Sequence, residues 1–176
     1  MGTYFYRASI VGPMSSSSAN VFLVSCDSEK FERTVRSPVT LDSSEDAPGE
    51  LESVDEARLW GVESSDQNRS YFEKMSADDL VLFYQDGMYA GTGVVGSTFE
   101  DESGWVASTF WEDESVPMIF TVEEFSSVSV PKSAVNRIFE YSENYTPGDL
   151  LRVADSRLRN RPEAIKLAVE RYSEQH

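Results

Sequence analysis

The sequence predicts an α+β fold, and three observations lead to that prediction. Asp79–Val95 contains two strand-like runs joined by turn-forming residues, which is typical of a β-hairpin. About six strand-like segments stand among three or four helical segments along the 176 residues. Strands and helices do not alternate regularly, as a parallel sheet built from βαβ units would require. At 19.7 kDa the chain has the size of one domain, or of one domain with an extension.

The predicted hairpin is the centre of this fold. Its first strand is almost wholly apolar around Val81 and Phe83, which is typical of a strand buried on both faces. The Asp-Gly pair that follows suits a tight turn, because both residue types tolerate a left-handed backbone. In the second strand Gly91 and Gly93 share one face. They allow either a neighbouring strand or a flat ligand to come close, and tight packing is the commoner reason.

Before the hairpin, strands are predicted from aromatic and β-branched content and helices from their capping residues. Asp27 caps a short helix that Pro38 stops, and Ser65 or Asp66 caps a second helix. In chain order the segments are strand 4–11, loop 15–18, strand 20–26, helix 30–36, an exposed acidic excursion 40–56, strand 59–62 and a helix carrying Tyr71, Phe72 and Met75.

After the hairpin, Asn160 is predicted to cap a final helix with Pro162 near its start. Its apolar stripe has helical spacing and consists of Ile165, Ala168, Val169 and Tyr172. The preceding segments are an acidic loop 99–104, a strand 117–122, a segment 135–145, and two stretches, 105–111 and 149–160, whose secondary structure the pattern leaves open.

The composition excludes several classes of site. Cys26 and His176 are the only cysteine and the only histidine, so an internal disulfide is impossible and a His/Cys zinc site is excluded for practical purposes. We expect no catalytic residues, no metal and no cofactor. No apolar run approaches the roughly 20 residues that span a bilayer, and the N-terminus lacks a signal-peptide pattern. We therefore expect a cytoplasmic protein that does not contact membranes.

The charge is strongly acidic but unevenly distributed. The net charge is −16, and only four of the fifteen basic residues are lysine, a composition typical of a salt-accumulating cytoplasm. There the Debye length is about 3 Å or less, so the total charge does not decide the partner. Residues 1–129 carry a balance of −17, whereas residues 130–171 carry +2. This basic tract predicts a site for an anionic ligand, unless its arginines form ordinary surface ion pairs.

Four segments in a fixed order resemble an EVE domain. They are Trp60-Gly-Val, a helix with Asn68 that ends in Phe-x-Lys-Met, the strand Asp-Asp-Leu-Val-Leu-Phe-Tyr, and Tyr89-x-Gly-x-Gly-x-Val. EVE domains belong to the PUA-like superfamily, with the YTH and ASCH domains as relatives, and the resemblance covers residues 19–125. It implies a curved mixed sheet closing toward a β-barrel, with helices packed outside. We expect an N-terminal strand and loop at 1–19, the EVE/PUA-like core at 20–130 and a basic extension at 131–176.

The resemblance also implies a pocket between the barrel and its helices that holds a flat group, often a flipped base. Trp60 matches the first aromatic wall, Trp105 falls near the second, and Phe110 and Trp111 are rivals for that place. From the residues alone, each Trp is more often core than ligand-facing, and Cys26 is more often a small buried hydrophobe than a reactive thiol. The expected base-binding residues are Ser25, Cys26, Trp60, Asn68, Trp105, Phe110 and Trp111.

By this resemblance we expect a non-catalytic reader of a methylated cytosine or adenine in DNA, which flips the base into an aromatic pocket. It would be the specificity module of a modification-dependent restriction system, with a nuclease or motor on a fused or partner domain. The alternatives are an RNA-binding PUA-like module and a small-ligand or protein-interaction module. A basic face meeting the pocket favours nucleic acid, and an acidic rim favours a small ligand. The expected backbone contacts are Lys132, Arg137, Arg152, Arg157, Arg159 and Arg161.

Overall fold

In a computed structural model, residues 19–41, 47–51, 54–112 and 116–176 are described. They form a mixed seven-stranded sheet with the strand order β2-β3-β6-β5-β4-β1-β7. The strands are β1 Val21–Ser25, β2 Val39–Thr40, β3 Glu56–Val62, β4 Leu80–Gln85, β5 Met88–Glu100, β6 Met118–Pro131 and β7 Leu151–Arg152. Strands β1 and β4 pair in parallel and the other pairs are antiparallel. The α+β prediction is confirmed, and the sheet is not closed into a barrel.

Five helices accompany the sheet in the described part of the chain. They are α1 Ser28–Phe31, α2 Asp66–Phe72, α3 Trp105–Phe110, α4 Lys132–Phe139 and α5 Pro162–Gln175. The predicted caps are confirmed: the Asp27 side chain accepts from the backbone N–H of Glu29, and that of Ser65 from the N–H of Asn68. Among the described residues, no helix combines the length and the apolar composition needed to cross a bilayer.

The central hairpin forms as predicted. Residues Leu80–Tyr84 of β4 are all buried, which explains why this strand lacks a polar face. Asp86 and Gly87 make the turn with φ values of 45° and 89°. Both values are positive, as a two-residue turn that follows the twist of the strands requires.

The two faces of the sheet carry separate cores, and β1 and β4 contribute alternate residues to each. Phe22 and Phe83 belong to one core, which α1, Trp60 and Trp111 complete. Leu23 and Leu82 belong to the other, which α4 and α5 cover. Because side chains alternate along a strand, a strand with two buried faces must be apolar throughout.

Several predicted boundaries are wrong, or fall outside the described residues. The excursion 40–56 is only partly exposed, since Leu41 and Leu51 are 6% and 2% exposed and join the first core. Residue Phe99 belongs to β5 and not to a loop, and strand 117–122 extends to Pro131. The final helix is preceded by Arg161 in place of Asn160, because Pro162 takes its first position. The predicted strand 4–11 and loop 15–18 lie outside the described residues.

The glycines of β5 serve packing. A Cβ atom on Gly93 would lie 2.4 Å from Cγ1 of Val122, and one on Gly91 would lie 2.6 Å from Cε1 of Phe125. Real Cβ contacts essentially never fall below 3.0 Å. The face that these glycines leave bare is therefore filled by side chains of this chain, and the flat-ligand alternative for that face is wrong.

We predict that Gly93→Ala destabilises the fold by about 1–3 kcal/mol, because the added methyl group overpacks the first core. Gly49→Ala is the matched control, since a Cβ there meets nothing within 4 Å. At such a site the substitution stabilises by about 0.4–1 kcal/mol or leaves stability unchanged. Chemical denaturation of the two variants measures both changes. Equal stability of the two variants would contradict this account of the β5 glycines.

Candidate functional site

A cleft of about 230 Å³ lies between residues of β1 and β3, two strands that three others separate in the sheet order. Strands β1 and β3 do not pair with each other, so the sheet does not close into a barrel here. The cleft lies in the gap between them. The residues that line the cleft are Ser25, Asp27, Lys30, Trp60, Gly61, Val62, Glu63, Trp111, Val116 and Asp149. Of the predicted pocket residues, the structure brings together Ser25, Trp60 and Trp111.

Two indoles form the aromatic walls of the cleft. The ring centroids of Trp60 and Trp111 are 5.9 Å apart and their planes are inclined by 63°. The Trp111 Nε1–H donates to Oγ1 of Thr34 at 3.2 Å, and that hydroxyl donates to the Leu59 carbonyl at 2.6 Å. Among the described residues, the buried Nε1–H of Trp60 has no hydrogen-bond partner. Trp111 is therefore fixed in orientation, whereas Trp60 retains an unused donor.

Both tryptophans are largely covered by protein, since each is 6% exposed. They therefore belong to the first core as well as to the cleft wall. A buried polar group without a partner is unfavourable by about 1–3 kcal/mol. The described residues supply no partner for the Nε1–H of Trp60, and this atom is covered from solvent.

The polar part of the cleft comes from β1 and from the loop that precedes β7. Ser25 holds that loop: its Oγ donates to the Pro147 carbonyl at 2.8 Å and its backbone N–H to the Gly148 carbonyl at 3.3 Å. This brings Asp149 to the cleft, where Asp27 and Glu63 add two more carboxylates and Lys30 adds one ammonium group. The rim is therefore acidic, although a cation is present.

Asn68 stabilises the backbone next to the cleft. Its side chain is 5% exposed, and Nδ2 donates to the Glu63 carbonyl at 3.0 Å. This bond fixes the connection between β3 and α2 beside the cleft. The amide does not line the cleft, and its predicted contact with a base edge stays a prediction.

Cys26, Trp105 and Phe110 also lie outside the cleft lining. Trp105 and Phe110 pack edge to face, with ring centroids 5.7 Å apart, and both are partly buried against the first core. Of the three rival aromatics, Trp111 is the one that reaches the cleft. Cys26 donates from Sγ to the Tyr84 carbonyl at 3.3 Å, and burial, partly offset by the Gln85 side chain, raises the pKa of its thiol to about 12.

Most of the basic tract is engaged within the protein. Arg152 donates to Asn20 and pairs with Asp155, and Arg157 donates to the carbonyls of Phe139 and Glu140. In the same region, Arg159 pairs with Glu140 at 2.8 Å and Lys132 donates to Thr146 at 3.0 Å. Within the described ranges, Arg137 and Arg161 have no ion-pair partner.

The basic tract also does not surround the cleft. Arg159 and Arg161 line a groove with Ala19, at the start of β1, whereas Ser25 lines the cleft at the end of that strand. Ala19 and Ser25 are six positions apart in extended chain, which corresponds to about 20 Å. A nucleic acid that used both places would have to run along the β1–β7 edge of the sheet.

The sequence matches no protein-family model, and it matches no curated protein. Two solved structures are similar to the fold. The N-terminal domain of Thermococcus gammatolerans McrB bound to m5C DNA has a TM-score of 0.62 at 18% identity, over 78% of this chain and 92% of that one. The Pho92 YTH domain in complex with m6A has a TM-score of 0.50 at 13% identity, over 85% and 87%. The fold is an EVE/PUA-like one. The resemblance seen in the sequence is thereby confirmed for the fold.

In this PUA-like fold, sequence reasoning missed the charged lining of the cleft. Asp27 was assigned only to a helix cap, and nothing in the pattern singled out Lys30, Glu63 or Asp149. The turn-forming Pro147-Gly148 pair was the one available signal for the loop that carries Asp149. Its contact with Ser25 joins residues 122 positions apart, which no local pattern reveals.

We predict that the Cys26 thiol reacts very slowly in the native protein. A pKa of about 12 leaves almost no thiolate at pH 8.5, whereas an unperturbed thiol is about half ionised there. Alkylation by iodoacetamide at pH 8.5 should therefore be at least about 100-fold slower in the native protein than in the chain unfolded in guanidinium. Since Cys26 is the only cysteine, mass spectrometry follows the reaction directly. Similar rates in the two states would show that the thiol is accessible and ionised.

Proposed function

We propose that this protein is a non-catalytic reader that takes one modified base of a nucleic acid into the cleft between β1 and β3. One observation carries the proposal. Two inclined indoles, Trp60 and Trp111, line this cleft. An aromatic wall suits a flat group such as a base.

The size of the cleft supports a single base. Sites for drug-sized ligands occupy about 300–1,000 Å³, and this cleft is smaller, at about 230 Å³. Stacking on an aromatic side chain contributes about 1–3 kcal/mol per base. A methyl group on the base adds about 0.8 kcal/mol when it leaves water for an apolar surface such as an indole face. The indoles therefore favour a methylated base over its unmodified form.

The charges at the rim favour a base with an exocyclic amino group. Carboxylates such as Asp27 and Asp149 accept hydrogen bonds from the N4 amino group of cytosine, and the N6 amino group of adenine offers the same kind of donor. A thymine or uracil lacks the amino group. We therefore propose a methylated cytosine or adenine.

The two similar folds support this proposal. One solved structure is described as bound to m5C DNA and the other as in complex with m6A. We propose DNA as the ligand, because the DNA-bound structure has the higher TM-score, and RNA is the alternative. A base in a duplex must be extruded first, which is unfavourable by a few kcal/mol, so base flipping is part of the proposal for duplex ligands. We further propose that a fused or partner domain supplies the nuclease or motor of a restriction system.

A second candidate function rests on the acidic rim. Three carboxylates around the cleft repel phosphates in dilute buffer and favour a small amino-bearing ligand without phosphates. Molar salt reduces the Debye length to about 3 Å, which screens that repulsion for an oligonucleotide. Salt therefore separates the candidates: oligonucleotide binding should survive in molar KCl if the modified base supplies the affinity.

The test is a binding panel of short duplexes and single strands carrying C, 5-methylcytosine, 5-hydroxymethylcytosine, A or N6-methyladenine, at low and molar salt. We predict that one modified base binds at least tenfold more tightly than its unmodified form. Trp60→Leu should remove most of that difference, about 1.4 kcal/mol or more, because it removes the stacking wall. Trp105→Leu is the matched control, since Trp105 is a partly buried indole outside the cleft.

Thermal unfolding must accompany the panel, because Trp60 is nearly buried and its truncation destabilises the core. If Trp60→Leu does not fold, Trp60→Met tests the same wall, because methionine lacks a ring and is larger than alanine or valine. Equal and weak binding to every strand would remove the reader proposal. A modified-base preference that both Trp60 variants retain would place the base elsewhere.

A further inference from the structure

The loop between α4 and β7, which carries Asp149 to the cleft, also carries two stacked tyrosines. The rings of Tyr141 and Tyr145 are parallel, with centroids 4.3 Å apart and planes inclined by 14°. The guanidinium of Arg157 lies 4.4 Å from the centroid of Tyr141. Since Tyr145 covers one face of that ring, Arg157 covers the other. The three side chains therefore form a column in the order Arg157, Tyr141, Tyr145, with Tyr145 at its end.

The column is held in place by hydrogen bonds from side chains to the backbone. Asn136 is 0% exposed, and its Nδ2 donates to the carbonyls of Glu143 at 3.0 Å and Tyr145 at 2.9 Å. Arg157 donates to the carbonyls of Phe139 and Glu140, where α4 ends. A surface fixed before binding loses little conformational freedom when a ligand arrives.

Tyr145 is the last ring of the column. Tyr145 is half-buried, and among the described residues no ring other than Tyr141 stacks on it. Burial raises the pKa of both tyrosines above their usual value, so both rings are neutral at physiological pH. A neutral phenol does not repel a nucleotide.

The loop joins this column to the cleft. Ser25 donates to the carbonyls of Pro147 and Gly148, and Asp149 lines the cleft itself. The four residues from Tyr145 to Asp149 span at most about 14 Å. Stacked bases lie about 3.4 Å apart along a strand, so a few nucleotides cover this distance.

The charges around the column are balanced. The basic groups are Arg157, Lys132 and Arg159. Lys132 donates a hydrogen bond to Thr146, and Arg159 pairs with Glu140. The acidic groups of the loop are Glu140, Glu143 and Asp149. This balance contrasts with residues 1–129, which carry −17, and makes the column one of the least repulsive places for a phosphate near the cleft.

We propose that Tyr145 is a stacking platform for a second base, a neighbour of the modified base in the same strand. The proposal rests on the function proposed above and extends it. The unit of recognition is then a short unpaired segment, with the modified base in the cleft and an unmodified neighbour on the column. Stacking accepts any base, so the platform adds affinity and positions the strand without reading its sequence.

The experiment uses single strands of fixed length with one modified base, in which each neighbouring base in turn is replaced by an abasic site. We expect one abasic position, on one side only, to weaken binding about fivefold or more. Tyr145→Leu should weaken binding of the intact strand by a similar factor and should make the abasic replacement at that position neutral. Tyr145→Phe should retain affinity, because it keeps the ring.

Two controls separate stacking from a structural role. Tyr172→Leu alters another partly buried tyrosine, stacked on His176 at 4.4 Å on α5, and should leave binding unchanged. The isolated modified nucleoside occupies the cleft alone, so Tyr145→Leu should not change its affinity. If Tyr145→Leu lowers the affinity for the nucleoside as much as the affinity for the strand, the column only supports the cleft. That result would contradict the proposed platform.

The outcomes distinguish the two proposals. If the modified nucleoside and strand bind selectively but no abasic neighbour matters, the platform is wrong and the reader proposal stands. If the protein binds modified and unmodified forms equally, both as nucleosides and as strands, both proposals are wrong. Should Tyr145→Leu not fold, Tyr145→Met replaces it in the same abasic series, because methionine also lacks a ring.

Discussion

The pairing of β1 with β7 is the constraint on which the site depends. Strand β1 has β4 on one edge and β7 on the other, so it offers no free edge to β3 and the barrel stays open. The hydrogen bonds of Ser25 to Pro147 and Gly148 continue this pairing beyond β7 and fix the loop. The same few bonds thus keep β1 from pairing with β3, bring Asp149 to the cleft and fix the loop that carries Tyr145.

The sequence predicts the elements better than it predicts the site. The hairpin and the caps at Asp27 and Ser65 follow from local chemistry, because an Asp-Gly turn and a helix cap involve only neighbouring residues. Trp60 lies at the cleft, where the EVE resemblance placed it. The second wall could not be chosen among Trp105, Phe110 and Trp111, because the loop 99–104 before them has no secure alignment with the family. Trp105 and Phe110 lie on α3 and Trp111 directly follows it, and the packing of the whole chain decides that Trp111 lines the cleft.

Electrostatic expectations from the sequence were too simple. A tract rich in arginine suggested a surface for phosphates, yet Arg152, Arg157 and Arg159 bind groups of this chain. Their charges stabilise loop carbonyls and ion pairs, and surface ion pairs of this kind contribute about 0–1 kcal/mol each. Arg161 and Arg137 are freer to meet a phosphate. The proposed binding therefore depends on stacking more than on charge.

The central claim is that a modified base enters the cleft that Trp60 and Trp111 line. The chain has three tryptophans, so a ¹⁵N-labelled sample gives three indole N–H resonances, which Trp→Phe variants assign. On titration with the preferred modified nucleoside, the Trp60 and Trp111 resonances should shift together, because both indoles line the cleft. The Trp105 resonance should stay in place. Saturable binding that moves Trp105 alone, or none of the three, would contradict the account.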